Sequence, residues 1–475
     1  MADILFPIST APGARPGEGA GRLINAYAEK LQDGARAGFA RRRAPGLRLL
    51  ATATEVGMRG MHFHNGTLYI AVAERLRKVT LSGSTYTVTD LGALPGTGRV
   101  TFARNNKSPT PDILCTTQND TYVVTSGAPP VALGDGDLPQ ALTGCFLAGY
   151  FIWAIRDGRF FFSGINATTV SALDFGKAES RPGGILNAVP YGEMLLVCGP
   201  SFLEFWQNAG NATGSPFSRA ATFAGVGLAS TFAIAGFEEG FSNIVFVGND
   251  NGVHLLSGGY TPTKISTPDL DRLIEAVSDK TQLDVTVSVT SGHSWVAVTG
   301  PTFTWEYEVS TGLWHERASY ENTRWRAVCS AQAFGGWVLG DRTTGRVWML
   351  DPNVHKEGDD PLIASFISQP ASGFPNRVAI PRADFDFIVG QGKVSGSEPI
   401  ETDPVVLISW SDDGGATFKV PVSRKLGPLS KFQTRVTVNR TGMAGPYGRV
   451  WRLDLSDPVF VSLLSGQMDG DPRSR

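Results

Sequence analysis

The chain has 475 residues, 42% of them hydrophobic and 18% charged, so it has ample apolar material for a large core and few residues to spend on long charged helices. Glycine at 56 and proline at 29 point to many turns between short strands. The formal net charge of -2, from 42 basic and 44 acidic residues, excludes the bulk basic excess of a phosphate-gripping or polybasic membrane-binding protein, and leaves room only for a local patch hidden in the fold.

The N-terminal stretch MADILFPIST lacks the basic segment and apolar run of a signal peptide, and no run of about 18 apolar residues occurs anywhere. Cytoplasmic synthesis and no stable membrane insertion are therefore expected. Residues 1–50 differ from the rest: Asn25, Tyr27 and Glu29 precede the basic run Arg41, Arg42, Arg43 and then Pro45-Gly46. Three arginines are a weak nucleic-acid signal. The plainer reading is an extended arm that lies on a partner or completes a sheet made by later residues.

From about residue 59 a hairpin rhythm begins. Met61-His62-Phe63-His64, Asn65-Gly66 and Thr67-Leu68-Tyr69-Ile70 read as strand, tight turn, strand, because Asn-Gly tolerates the positive φ that such turns need. The same grammar recurs at Asn119-Asp120, Asp157-Gly158, Tyr191-Gly192, Asn251-Gly252, Ser291-Gly292, Thr311-Gly312, Gly335-Gly336 and Thr344-Gly345. Unit centres near Tyr69, Tyr122, Phe162, Phe205, Leu255, Tyr307 and Trp348 recur at roughly 40 to 50 residues, the length of a four-stranded blade. The expected fold is all-β: a β-propeller of six or seven irregular blades over residues 51–355. An inserted helix should start at Ser266 or Thr267 before Pro268. Residues 356–475 form a C-terminal β region that completes the propeller or makes a small sandwich. Within it, Ser411, Asp413, Gly415, Thr417 and Phe418 match the Asp-box turn pattern, in which polar residues shape a hairpin turn over a packed aromatic ring. The last ten residues read as a loose tail.

Reactive constellations are sparse. The four cysteines, Cys115, Cys145, Cys198 and Cys329, are far apart in apolar surroundings and read as reduced core residues rather than disulfide or zinc partners. His62 and His64 share a strand face and could hold a metal, but two surface histidines near a hairpin are the plainer reading. No nucleophile-elbow, zinc-protease or phosphate-loop motif occurs. A glycoside-cleaving or sialidase-like propeller has candidate carboxylates in Glu204, Asp250, Glu306, Glu308 and Asp341, yet the sequence cannot set their separation. A lectin-like propeller would need a ring of exposed aromatics. Of the ten tryptophans, Trp314 and Trp325 flank a turn-rich segment and are the expected surface residues. No catalytic residue, metal or cofactor is assigned.

The order and spacing of weaker elements carry a resemblance. LINAYAEKL with RRRAPG, GMHFHNGTLYIAV, FIWAIRDGRFFFSGINATTVSALDF, ILNAVPYGEMLLVCGPSFLEFWQNAG, NIVFVGNDNGVHLLSGG and KISTPDLDRLI resemble the packaged-DNA stabilisation proteins, the tail hub or nozzle proteins of short-tailed bacteriophages. The likeness runs over about residues 20–460. It implies a non-enzymatic virion tail protein, made in the bacterial host cytoplasm. Such a protein forms a six-fold ring under the portal-adaptor complex and retains packaged DNA, whose duplex passes through the lumen without sequence-specific binding. It also carries a tail fibre or tailspike, and in some phages a needle or plug. The candidate assembly contacts are then Asn25, Tyr27, Arg41, Arg42, Arg43, Trp314 and Trp325.

Overall fold

A computed structural model describes residues 2–15, 17–125, 127–211, 214–374 and 376–473. The chain divides into two compact units, residues 49–301 with 326–350, and residues 1–48 with 302–325 and 351–475. The first of these is the propeller unit, and the second is called here the flanking unit.

In the propeller unit, five consecutive stretches of chain each make a four-stranded antiparallel sheet. The first sheet shows the pattern: Met58–His64, Thr67–Val72, Arg75–Ser82 and Thr85–Ala93. The inner strands of the next four are Thr101–Arg104, Ala141–Leu147, Asn187–Tyr191 and Ile234–Ala235. A sixth sheet, Ala327–Ala333, Gly336–Asp341 and Arg346–Asp351, takes its fourth strand from residues 49–52 of Gly46–Thr52, upstream of the first blade. The antiparallel ladder of Asp284–Thr290 and His293–Thr299 packs between the inner strands Ile234–Ala235 and Ala327–Ala333. The unit is thus an all-β propeller, with six four-stranded blades among the described residues beside this ladder.

Each blade has two apolar faces, so it is stable only between neighbours. The cores show this directly. One cluster joins Met61, Leu68 and Ile70 of the first sheet to Val338, Val347 and Met349 of the last. Others join Leu76 to Ile113 and Val124, Leu114 to Phe151 and Trp153, and Phe160 to Leu195 and Trp206. All four cysteines are buried and free, and burial pushes the Cys145 thiol up to about 12 and the Cys329 thiol up to about 11.

The turns obey the backbone logic of the sequence. Asn65 and Gly66 sit at φ 45° and 74°, and Ser291 and Gly292 at 54° and 80°, the paired positive values of a two-residue hairpin turn. One turn is displaced from its expected place: Phe334 and Gly335 take positive φ at 52° and 82°, while Gly336 already opens the next strand. The inserted helix is Pro268–Glu275, with Leu270 and Ile274 buried. Thr267 is its N-cap without a side-chain cap bond, and the Ser266 hydroxyl instead donates to Asp271 at 2.5 Å.

The flanking unit is a two-sheet sandwich. One sheet contains, in order, Leu313–Glu316, Arg22–Ile24, Ala364–Ile367, Val450–Leu455, Val405–Ser411 and Val422–Lys425. The other runs Ala26–Lys30, Phe39–Arg43, Ser462–Arg473, Arg377–Phe387 and Val436–Asn439. Leu23, Phe366, Ile408 and Leu453 of the first sheet pack on Ala28, Phe385, Val438 and Leu463 of the second. The N-terminal stretch therefore supplies inner strands to both sheets, which is the sheet-completing of the two roles open to it in the sequence.

Candidate functional site

An axial cavity of about 340 Å³ lies among the inner strands of the propeller unit. At the beginning of these strands, Arg99 and Arg342 share Asp284, with N–O distances of 2.8 and 2.7 Å, and Arg99 lies 5.4 Å from the Phe232 ring centre. Toward their ends stand His62, Arg104, Glu238 and Glu239. The His62 imidazole stacks on Phe102 at an interplanar angle of 7°, and burial, with Arg104 nearby, brings its pKa down to about 4. It is half-buried on the cavity wall, and it is neutral at physiological pH. The Glu238 carboxylate accepts from the Gly236 amide at 2.6 Å, yet enclosure dominates and pushes its pKa up to about 7. Among the described residues, no group of three or more His, Cys, Asp or Glu side chains is placed to hold a metal ion.

The carboxylates of the glycosidase alternative are engaged in local scaffolding. Glu204 is fully buried and accepts from Ser180, Trp206 and Arg219. Asp250 meets His254 at 3.0 Å, and Asp341 accepts from the Thr343 and Thr344 amides and the Trp348 indole. In the flanking unit, Glu306 meets His315 at 3.0 Å, and Glu308 closes the turn at Ser310 and Thr311.

The candidate assembly contacts are mostly interior, and this corrects the sequence expectation for Trp314 and Trp325. Both are under 3% exposed. Trp314 is tied through its backbone to Ser9, and its ring packs on Trp305 and Tyr307. The Trp325 indole donates to Glu357 at 2.9 Å with Arg317 over its face. Asn25 is buried at φ 50°, and its amide bridges the Ala318 and Ile363 carbonyls. Tyr27 is buried beside His315. The three arginines alternate, as strand geometry requires. Arg41 donates to the Phe6, Pro7 and Leu464 carbonyls, and Arg43 to those of Leu455, Asp457 and Val459. Arg42 points away from them and pairs with Glu29 at 2.5 Å, keeping about a third of its side chain exposed.

At the Asp-box-like turn, the Ser411 hydroxyl donates to Asp413 and accepts from the Gly415 amide at 2.9 Å. The Asp413 carboxylate also accepts from the Thr417 amide and hydroxyl, and Phe418 packs on the cluster of Ala20, Ile367 and Val450. The Ser411 and Thr417 donors hold the Asp413 carboxyl well below the usual carboxylate range. D413A is expected to destabilise the flanking unit by about 1–2 kcal/mol, since several charge-assisted bonds are lost at an exposed turn. Urea unfolding checks this, and a change near zero would mean that the turn is held by its glycines alone.

A ring of small sheets whose polar side chains are spent on turns and strand ends defines a scaffold of the β-propeller class. Within that class the chain belongs to the phage-stabilisation family: the family model Phage_stabilise, described as Bacteriophage P22 Gp10, beta-propeller, matches residues 22–355. The protein is thus a non-enzymatic phage tail-stabilisation propeller. No curated protein matches the chain. Solved structures similar to it include the WD40 β-propeller domain of Doa1, at 11% identity and TM-score 0.41, covering 64% of this chain and 98% of that one. The computationally designed Ika8 protein is 12% identical with TM-score 0.39, covering 69% and 99%. A chain of the Mitotic Checkpoint Complex is 11% identical with TM-score 0.43, covering 68% and 96%.

Proposed function

We propose that the protein is a tail hub, six copies of which form a ring under the portal-adaptor complex, retain packaged DNA and carry fibre, spike or plug contacts. The observation that carries this reading is the family match over residues 22–355, which takes in both the N-terminal strands and the whole propeller. Function is then assembly, with no bond made or broken. Six copies multiply a weak contact, so the ring holds far more tightly than one subunit would.

The propeller's own axis is not the DNA route. A cavity of about 340 Å³ cannot admit a duplex whose major groove alone is about 12 Å wide. The duplex would pass between copies, past surfaces of whole subunits. Among the arm residues, Arg42 retains exposed surface and remains a contact candidate.

Mass photometry of the full chain with its phage's portal-adaptor complex tests the reading. A mass increase of six copies is expected. A folded chain that leaves the intact complex unchanged would overturn it and direct attention to glycan binding.

A further inference from the structure

We infer that the flanking unit carries a basic flank, built from residues 414–453, that binds the phosphate backbone of double-stranded DNA without reading its sequence. The segment holds eight cations, Lys419, Arg424, Lys425, Lys431, Arg435, Arg440, Arg449 and Arg452, and no acidic residue. The rest of the chain therefore has 34 basic against 44 acidic residues. The near-even total conceals a strongly uneven distribution.

The fold sorts these eight. Lys425 is held by Asp403, Arg449 by Asp412 and Arg452 by Asp454. Arg424 donates to the Thr437 and Ser423 carbonyls at 2.6 and 2.7 Å, which are neutral acceptors. Lys419, Lys431, Arg435 and Arg440 are exposed, and none has a salt-bridge partner among the described residues. The acid that feels Arg435 is Asp384, and it is already bound by Arg382 at 2.7 Å and by Thr437.

These side chains share one flank. Val422–Lys425 is the last strand of one sheet and Val436–Asn439 the last strand of the other. The Arg424 to Thr437 bond ties the two edges, and residues 426–435 connect them. Phe432 lies among the cations and is 69% exposed. Cations on an exposed edge also discourage strand pairing between molecules, but that task needs only one or two charges. Four open cations without a salt-bridge partner among the described residues, in a run of 40 residues that holds no acid, go further. Arg435 and Arg440 bracket a strand and stand about 16 Å apart. A duplex presents one phosphate charge per ~1.7 Å of its axis, so a passing helix offers a partner to every one of them. Four contacts give a weak, reversible grip, which suits DNA that must be kept and later released.

This inference takes its biological setting from the tail-hub reading, but its test does not depend on it. The full chain is titrated onto a fluorescein-labelled 20-base-pair duplex and followed by anisotropy between 25 and 200 mM salt. Binding is expected with Kd on the order of 10⁻⁶ to 10⁻⁴ M and a log–log salt slope of about -3.6 for four phosphate contacts. K431E/R435E/R440E should lose at least tenfold in affinity and most of the slope, with an unchanged melting temperature. R156E/R181E, which reverses exposed cations on the propeller unit, should bind like the parent. Absence of binding at 25 mM salt, or an equal loss in R156E/R181E, overturns the inference. So does a triple variant that keeps duplex affinity but no longer docks on the portal-adaptor complex, which would assign the flank to an acidic protein surface. Docking without duplex binding removes this inference alone, whereas duplex binding without docking removes only the tail-hub reading.

Discussion

Replacement of Arg43 by alanine is expected to destabilise the flanking unit by about 3–5 kcal/mol, the range for stranding the partners of a buried charge. Arg43 is 6% exposed, and its guanidinium donates to Asp457 at 2.7 Å, Val459 at 3.1 Å and Leu455 at 2.6 Å. Burial brings its pKa down to about 9, which still leaves it charged at neutral pH. Each of these acceptors is a main-chain carbonyl in or just after Val450–Leu455, where a strand ends without a further ladder partner. Truncation would strip all three carbonyls of a charged donor, leave that of Asp457 with only the Val459 amide, and open a side-chain-sized void. R43K should recover less than half of the loss, because an ammonium cannot reproduce the planar fork. R42A is the matched control: its half-buried pair with Glu29 should cost no more than about 1 kcal/mol. Equilibrium urea unfolding followed by tryptophan fluorescence distinguishes these cases. A loss under about 1 kcal/mol for R43A would show that water satisfies the carbonyls and that the arginine is not a fastener.

The same three arginines show what the sequence could and could not disclose. Their alternation was legible: in a strand, Arg41 and Arg43 must face one way and Arg42 the other. That the first face would be interior was not, because the carbonyls that receive Arg43 lie some 410 residues downstream. Trp314 and Trp325 failed for the same reason. Their neighbourhood is turn-rich, yet the partners that bury them, Ser9 and Glu357, come from distant segments of the flanking unit. Local signals did better. Asn65-Gly66 and Ser291-Gly292 marked real turns because the required φ values are a property of two residues. The Gly335-Gly336 turn slipped by one because Phe334, which nothing in its chemistry favours there, accepts a positive φ of 52°. The basic flank was readable in a running charge count and was hidden by the total. Why its residues share one side needed the fold, since two strand edges from different sheets had to be brought together.

The second large effect is expected at Glu238, and its signature is a dependence on pH. In the folded state the carboxyl titrates at about 7, against 4.5 ordinarily, because enclosure at the axial cavity penalises its charge more than the Gly236 amide and the Arg99 charge favour it. Between these values the folded chain holds a proton that the unfolded chain has lost. Stability from this group is therefore complete below pH 4.5, falls as pH rises, and is gone above about pH 7. A displacement of that size corresponds to about 3 kcal/mol, an upper bound because part of the side chain faces cavity solvent. His62 works in the opposite sense. Its pKa is brought from 6.5 to about 4, so its contribution is lost as pH falls through that window. Over pH 4.5–6.5 these two slopes largely cancel, so neither can be read from the parent alone. E238Q separates them, since glutamine has the shape of the protonated acid and no titration. The stability of E238Q relative to the parent should rise by up to about 3 kcal/mol between pH 4.5 and 7.5, and E238Q should weaken more steeply than the parent below pH 6.5. His355, also brought down to about 4, is common to both proteins and drops out of the difference. Urea midpoints at four pH values within that range suffice. A difference that stays constant with pH would mean that the carboxyl ionises as in water, and hence that the inner end of the propeller axis is open to bulk solvent.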